Sequence, residues 1–234
     1  MFFFDPLYFL FMLPPFIFVI YAQSRVSATF RKYSRVANEQ RVSGGQAAQI
    51  LLRANRLGGV SIEGTSGHLT DHYDPRHKVL RLSREVYNNP SVAALGIVAH
   101  EVGHAVQDNI NYAPMRLRSA LVPAANLGTR LGYIFIILGF ILYVFSGFGL
   151  NIAWIGVFLF AAAVLFTLVT LPVEYNASSR ARQMLRTTGL VSDQEYKAAS
   201  AVLSAAALTY VAAMLQALAT LFYFVFALLG MGRR

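Results

Sequence analysis

Apolar residues gather along this chain in four blocks, with polar or mixed sequence between them. The first is "PLYFLFMLPPFIFVIY", Pro6 to Tyr21; two more run near Leu121 to Phe145 and Leu150 to Pro172, and the last covers about Ala205 to Gly230. The middle two are each long enough to cross about 30 Å of hydrocarbon. The uncharged turn "SGFGLN" between them makes them a hairpin. The first block lacks the basic start and small-residue cleavage site of a secretory signal, so it reads as a retained membrane helix. Pro14 and Pro15 predict a kink or an end within it.

From Ala22 to about Arg118 the pattern is mixed. "RVSATFRKYSRVANEQ" reads as helix, and so does "SGGQAAQILLRANRLGG", with Ser43 and Gln46 at capping-box spacing and Gly58 as the stop. "VSIEG" and "GHLTDHYDPRHKVLRLS" set β-branched and apolar residues between Gly and Pro breaks, which predicts short strands. Ser91, after Asn-Asn-Pro, is the expected N-cap of the next helix. The expected organisation is therefore a first transmembrane helix (1–21), a polar domain (22–118), a transmembrane hairpin (119–172), a polar helical segment (173–204) and a last transmembrane helix with the C-terminus (205–234).

Composition supports a bilayer. The chain is 56% hydrophobic and only 13% charged, with mean hydropathy +0.50, whereas a soluble domain carries about a quarter charged residues. The net charge of +9 is scattered around the apolar blocks and forms no long basic run. That pattern argues against nucleic acid and for anionic headgroups of a lipid bilayer. There is no cysteine, which excludes disulfides and thiolate metal sites. Arg25, Arg31, Lys32 and Arg35 follow the first block, and Arg116, Arg118, Arg180, Arg182 and Arg186 flank the hairpin on the same side. By the positive-inside rule both polar segments face the cytosol of a multi-pass cell-membrane protein, with Arg233 and Arg234 outside against the trend.

Chemistry enters at "IVAHEVGHAVQ", Ile97 to Gln107. His100 and His104 stand one helical turn apart, about 400° of rotation and roughly 6 Å of rise, so both imidazoles leave one face and can share a cation. Glu101 lies about 100° around the helix, beside the metal, where it can act as general base. H-E-x-x-H is thus two Zn²⁺ ligands and a base. A catalytic zinc takes three protein ligands. Asp108 continues the face but lies about 12 Å along the axis from His100. His68, His72 and His77 remain candidates, and the favoured third ligand is Glu174 in "VTLPVEYNASSRARQML", with small Ala177 and Ser178 on its next turn allowing close packing.

"AHEVGHA", "TLPVEYNASSRA" and "GHLTDHYDPRHKVLRLS" together resemble the YugP-type family of bacterial membrane zinc metallopeptidases, over nearly the whole chain. More distantly the arrangement is similar to the HtpX and CAAX prenyl protease group, which pairs H-E-x-x-H with a later E-x-x-A. The resemblance implies His100, His104 and Glu174 as ligands of one zinc and Glu101 as catalytic base. In the HtpX-like group an Asp follows the E-x-x-A alanine; here Ser178 stands there, so Ser178, Asn176 or a residue of the strand region is left to orient a ligand histidine. His72, Tyr73 and Arg180 are candidates for stabilising an oxyanion. Lys78, Val79, Leu80, Arg81, Leu82 and Ser83 are the candidate strand edge for an extended substrate.

The expectation is an α-helical integral membrane protein with a small α+β zincin-like domain carrying the H-E-x-x-H helix. Its expected function is zinc-dependent hydrolysis of peptide bonds in membrane-associated or misfolded proteins. The alternative is a non-catalytic membrane scaffold stabilised by zinc, which would want a closed four-ligand site and no Glu101. A transporter fits less well, because ionisable residues cluster outside the long apolar blocks.

Overall fold

The computed structural model describes residues 6–232, so the start of the expected 1–21 helix, and Arg233 and Arg234, lie outside the described residues. The chain is mainly helical: α1 Pro6–Tyr33, α2 Gly44–Ala54, α3 Arg84–Asn88, α4 Val92–Asn109, α5 Ala113–Tyr143, α6 Phe148–Thr187 and α7 Asp193–Met231. A three-stranded sheet is built from β1 Ser61–Thr65, β2 His72–Asp74 and β3 Val79–Ser83. Among the described residues, α1, α5, α6 and α7 are long and apolar enough to cross a membrane.

These four helices outrun their apolar blocks. α1 continues through Pro14 and Pro15 to Tyr33, so the prolines do not end it. α6 carries on past Pro172 to Thr187, and α7 starts at Asp193, well before its apolar part. A helix already satisfied within its own backbone has no reason to stop where hydrocarbon gives way to water. The predicted helix after Ala22 stops at Tyr33; beyond it Asn38 pins a turn, its side chain accepting from the Val42 N–H and donating to the Val42 carbonyl. In α2 both halves of the Ser43/Gln46 capping box form. The helix ends at Asn55, whose side chain donates to the Leu51 carbonyl, not at Gly58. Ser91 caps α4 by accepting the Ala94 N–H at 3.2 Å, a contact of a kind that contributes about 1 kcal/mol.

The chain divides into two compact units, and the division falls within α1, α5, α6 and α7. One comprises the chain up to Tyr21, Arg116–Leu171 and the chain from Tyr210. Its buried core is small, around Ile136, Ala153, Val157 and Leu228, while Phe145 and Phe158 are 81% exposed. A surface this apolar suits lipid as solvent. α5 and α6 approach closely through small residues: a Cβ on Gly139 would lie 2.4 Å from the Ala153 nitrogen.

The other unit comprises Ala22–Met115 and Pro172–Thr209. Its core joins α2, the sheet, α4 and the polar parts of α6 and α7, with Leu51, Leu80, Leu82, Leu95, Val98, Val102 and Leu185 fully buried. Each such side chain contributes about 1.5–3 kcal/mol. The strand order is β1-β3-β2, with β1 parallel and β2 antiparallel to β3. β3 is therefore the middle strand. Val79, Leu80 and Arg81 are paired on both sides, the Lys78 carbonyl accepts from the Ser61 N–H, and Leu82 and Ser83 pair with β1. The expectation that Lys78–Ser83 offers a free edge is corrected: the edges belong to β1 and β2.

Candidate metal centre

α4 brings His100 and His104 onto one face, their rings crossing nearly at right angles with centroids 4.8 Å apart. α6 supplies Glu174. What lets α6 come so near is Gly103, inside the H-E-x-x-H turn: a Cβ there would stand 2.7 Å from the Ala177 carbonyl oxygen. Ala177 is fully buried, so two small residues form the contact that sets Glu174 opposite the histidines. Glu174 Oε2 lies 3.1 Å from His100 Nε2 and 3.4 Å from His104 Nε2. All three donor groups fall within 4.8 Å of one another. Zn–N and Zn–O bonds of about 2.0–2.2 Å at a tetrahedral angle put neighbouring donors roughly 3.2–3.5 Å apart. The donor set fits zinc.

The far nitrogens of both rings are also held. His104 Nδ1 is 3.0 Å from Gln107 Oε1. The amide nitrogen of Gln107 is committed to the Val173 carbonyl and Asn176 Oδ1, which leaves only its oxygen for His104. His104 must then donate through Nδ1 and present the Nε2 lone pair inward. Ser178 Oγ stands 3.2 Å from His100 Nδ1. Asn176 also accepts from Arg180 Nε at 2.8 Å, so α6 supplies a row of polar contacts behind the donors. Side-chain exposure is 12% for His100, 9% for His104 and 4% for Glu174, so all three donors are largely shielded from solvent.

Glu101 is not in the donor group. It turns toward β2, where its Oε2 accepts the Tyr73 N–H at 3.0 Å. Burial pushes its carboxyl up to about 7; the Glu174 and Asp71 carboxylates push the same way and His100 opposes them. Asp71, just before β2, is raised by burial too, although it accepts from the N–H and hydroxyl of Ser83.

Other expected residues are engaged elsewhere. His68 contacts Glu85, His72 contacts the Thr70 carbonyl, and His77 contacts Asp74, so none joins the donor group. The Tyr73 hydroxyl donates to Asp108 at 2.7 Å, and burial followed by that bond pushes the phenol above its usual range. His72 is exposed, and Arg180 is turned to Asn176. Gln107 is the contributor that sequence reasoning passed over. Its signal was present: an uncharged polar residue about one turn beyond His104 on the same helix.

Comparison with known proteins bears on the family of the chain. The model of a family described as "Putative neutral zinc metallopeptidase" matches residues 8–229. The "Putative membrane protease YugP" of Bacillus subtilis (strain 168) is 42% identical over 210 residues, covering 90% of this chain and 91% of that protein. No solved structure matches. A match running through all four long helices and the H-E-x-x-H segment shows that the chain belongs to this neutral zinc metallopeptidase family.

Proposed function

We propose that the protein is a membrane-embedded, zinc-dependent endopeptidase acting on membrane-associated or misfolded proteins, with its polar segments facing the cytosol. The observation that carries this reading is a three-donor group, not four among the described residues, beside a buried carboxylate that stays out of it. Three donors leave a position for substrate or water, as catalytic sites do, whereas the scaffold alternative calls for closure by a fourth.

His100, His104 and Glu174 would hold the zinc, with Gln107 and Ser178 orienting the two imidazoles. Zinc there supplies Lewis-acid polarisation of the scissile carbonyl and a nucleophilic water near neutral pH. Glu101 accepts the proton of the attacking water and delivers it to the leaving amine. Its place about 100° around the helix from His100 keeps it out of the donor group. With β3 interior, an extended substrate is left the edge of β1 or of β2; Glu101 already contacts β2. The cytosolic placement is supported by the basic residues flanking the apolar blocks.

Purified protein in liposomes, given unfolded β-casein, tests the reading. Cleavage should stop with a zinc chelator and return with added zinc but not magnesium. Cleavage that survives complete zinc removal would refute the proposal.

A further inference from the structure

One residue of β2 is gripped at both ends by the H-E-x-x-H helix. Tyr73 donates its main-chain N–H to Glu101 Oε2 at 3.0 Å and its phenol O–H to Asp108 Oδ2 at 2.7 Å. Glu101 and Asp108 are seven residues apart on α4. That spacing places them about 20° apart around the helix and about 10.5 Å apart along it. The separation matches the reach of a tyrosine from amide to hydroxyl with a hydrogen bond at each end. Tyr73 itself is buried between them, 8% exposed.

The Asp108 end is reinforced. Lys78, in the turn joining β2 to β3, pairs with the same Asp108 oxygen. Lys78 has φ +53, a left-handed conformation that is unfavourable for a non-glycine residue. The turn is otherwise fixed by Asp74, which accepts from the Arg76 and His77 N–H groups and from Arg81. Tyr73, in the middle of β2, and Lys78, in the turn after it, are thus both tied to α4.

Building on the peptidase reading, we infer that Tyr73 is the positioning residue for Glu101, and that Asp108 with Lys78 is the clamp that holds Tyr73 in place. A carboxylate on a flexible two-carbon stem needs a fixed donor to face one direction. The Tyr73 N–H does this with one oxygen and leaves the other for proton transfer. It is a main-chain group, so its position depends on β2 staying at a set height over α4. The phenol–Asp108 bond sets that height. Asp108 thus acts at a distance from the reacting atoms, through Tyr73.

The test uses the full zinc-loaded protein in lipid nanodiscs, labelled with ¹⁵N-tyrosine, which gives 12 amide probes. Amide exchange at Tyr73 should accelerate about tenfold or more in Glu101→Ala and in Asp108→Ala, while Tyr196 in α7 keeps its wild-type rate. Asp108→Asn, which keeps an acceptor of the same size, should show a smaller change. In casein hydrolysis Asp108→Ala should lower kcat about 10- to 100-fold with little change in KM and with zinc content near one per chain. Placed in a Glu101→Gln background it should add no further loss. Unchanged Tyr73 exchange in both alanine variants would overturn the inference. So would an Asp108→Ala loss of equal size in the Glu101→Gln background, because a general structural defect would act there too. Accelerated exchange in a protein whose wild type cleaves nothing would uphold the clamp and refute the peptidase reading instead.

Discussion

Gln107 decides which nitrogen of His104 faces Glu174. Its amide nitrogen is occupied by Val173 and Asn176, so its oxygen is the group offered to His104. Gln107→Leu removes that acceptor while keeping bulk in a fully buried position. Zinc affinity, measured by competition with a chromogenic chelator, should fall about 10- to 100-fold. An unchanged affinity would show that His104 needs no such partner. The paired histidines and Glu101 were legible because helical spacing alone places them. Gln107 was not, because its role depends on α6 presenting Val173 and Asn176, and that is a contact 66 to 69 residues distant in sequence. Ser178 was legible only as one of several candidates; its position 3.2 Å from His100 Nδ1 required the helix pairing to be known.

At the level of elements, the α4–α6 contact governs the donor distances. Gly103 and Ala177 meet so closely that a methyl group at position 103 would collide with the Ala177 carbonyl. Gly103→Ala should therefore separate the helices, destabilise the protein by about 1–3 kcal/mol as overpacking does, and weaken zinc binding with every donor still present. Thermal unfolding with and without zinc checks this; a variant with wild-type affinity would show that the contact does not set the site. The sequence announced the small residues on α6 and both caps, Ser43 and Ser91, because caps are local chemistry. Strand existence was legible for the same reason. Strand order was not: nothing local to Lys78–Ser83 reveals that β1 and β2 both pair with it. Helix ends past Pro172 and before Ala205 were missed because apolar blocks mark where a helix meets lipid, not where it stops.

For the whole molecule, four apolar helices and membership of the zinc metallopeptidase family make this a membrane protein of that group. The flanking arginines predict that the polar segments face the cytosol. The natural chain lacks cysteine, so a single Ser66→Cys variant is a clean topology probe. It should resist an impermeant maleimide in intact cells and react after permeabilisation; labelling in intact cells would reverse the orientation. The central claim, that these residues form a peptidase and not a zinc-braced scaffold, rests on Glu101. Glu101→Gln preserves shape and leaves the donor group of His100, His104 and Glu174 complete. The decisive measurement is casein hydrolysis by this variant in liposomes, alongside its zinc content. The account predicts one zinc per chain, with a rate lowered by about 10² to 10⁴, the usual contribution of general base catalysis. Full wild-type hydrolysis with zinc still bound would contradict it.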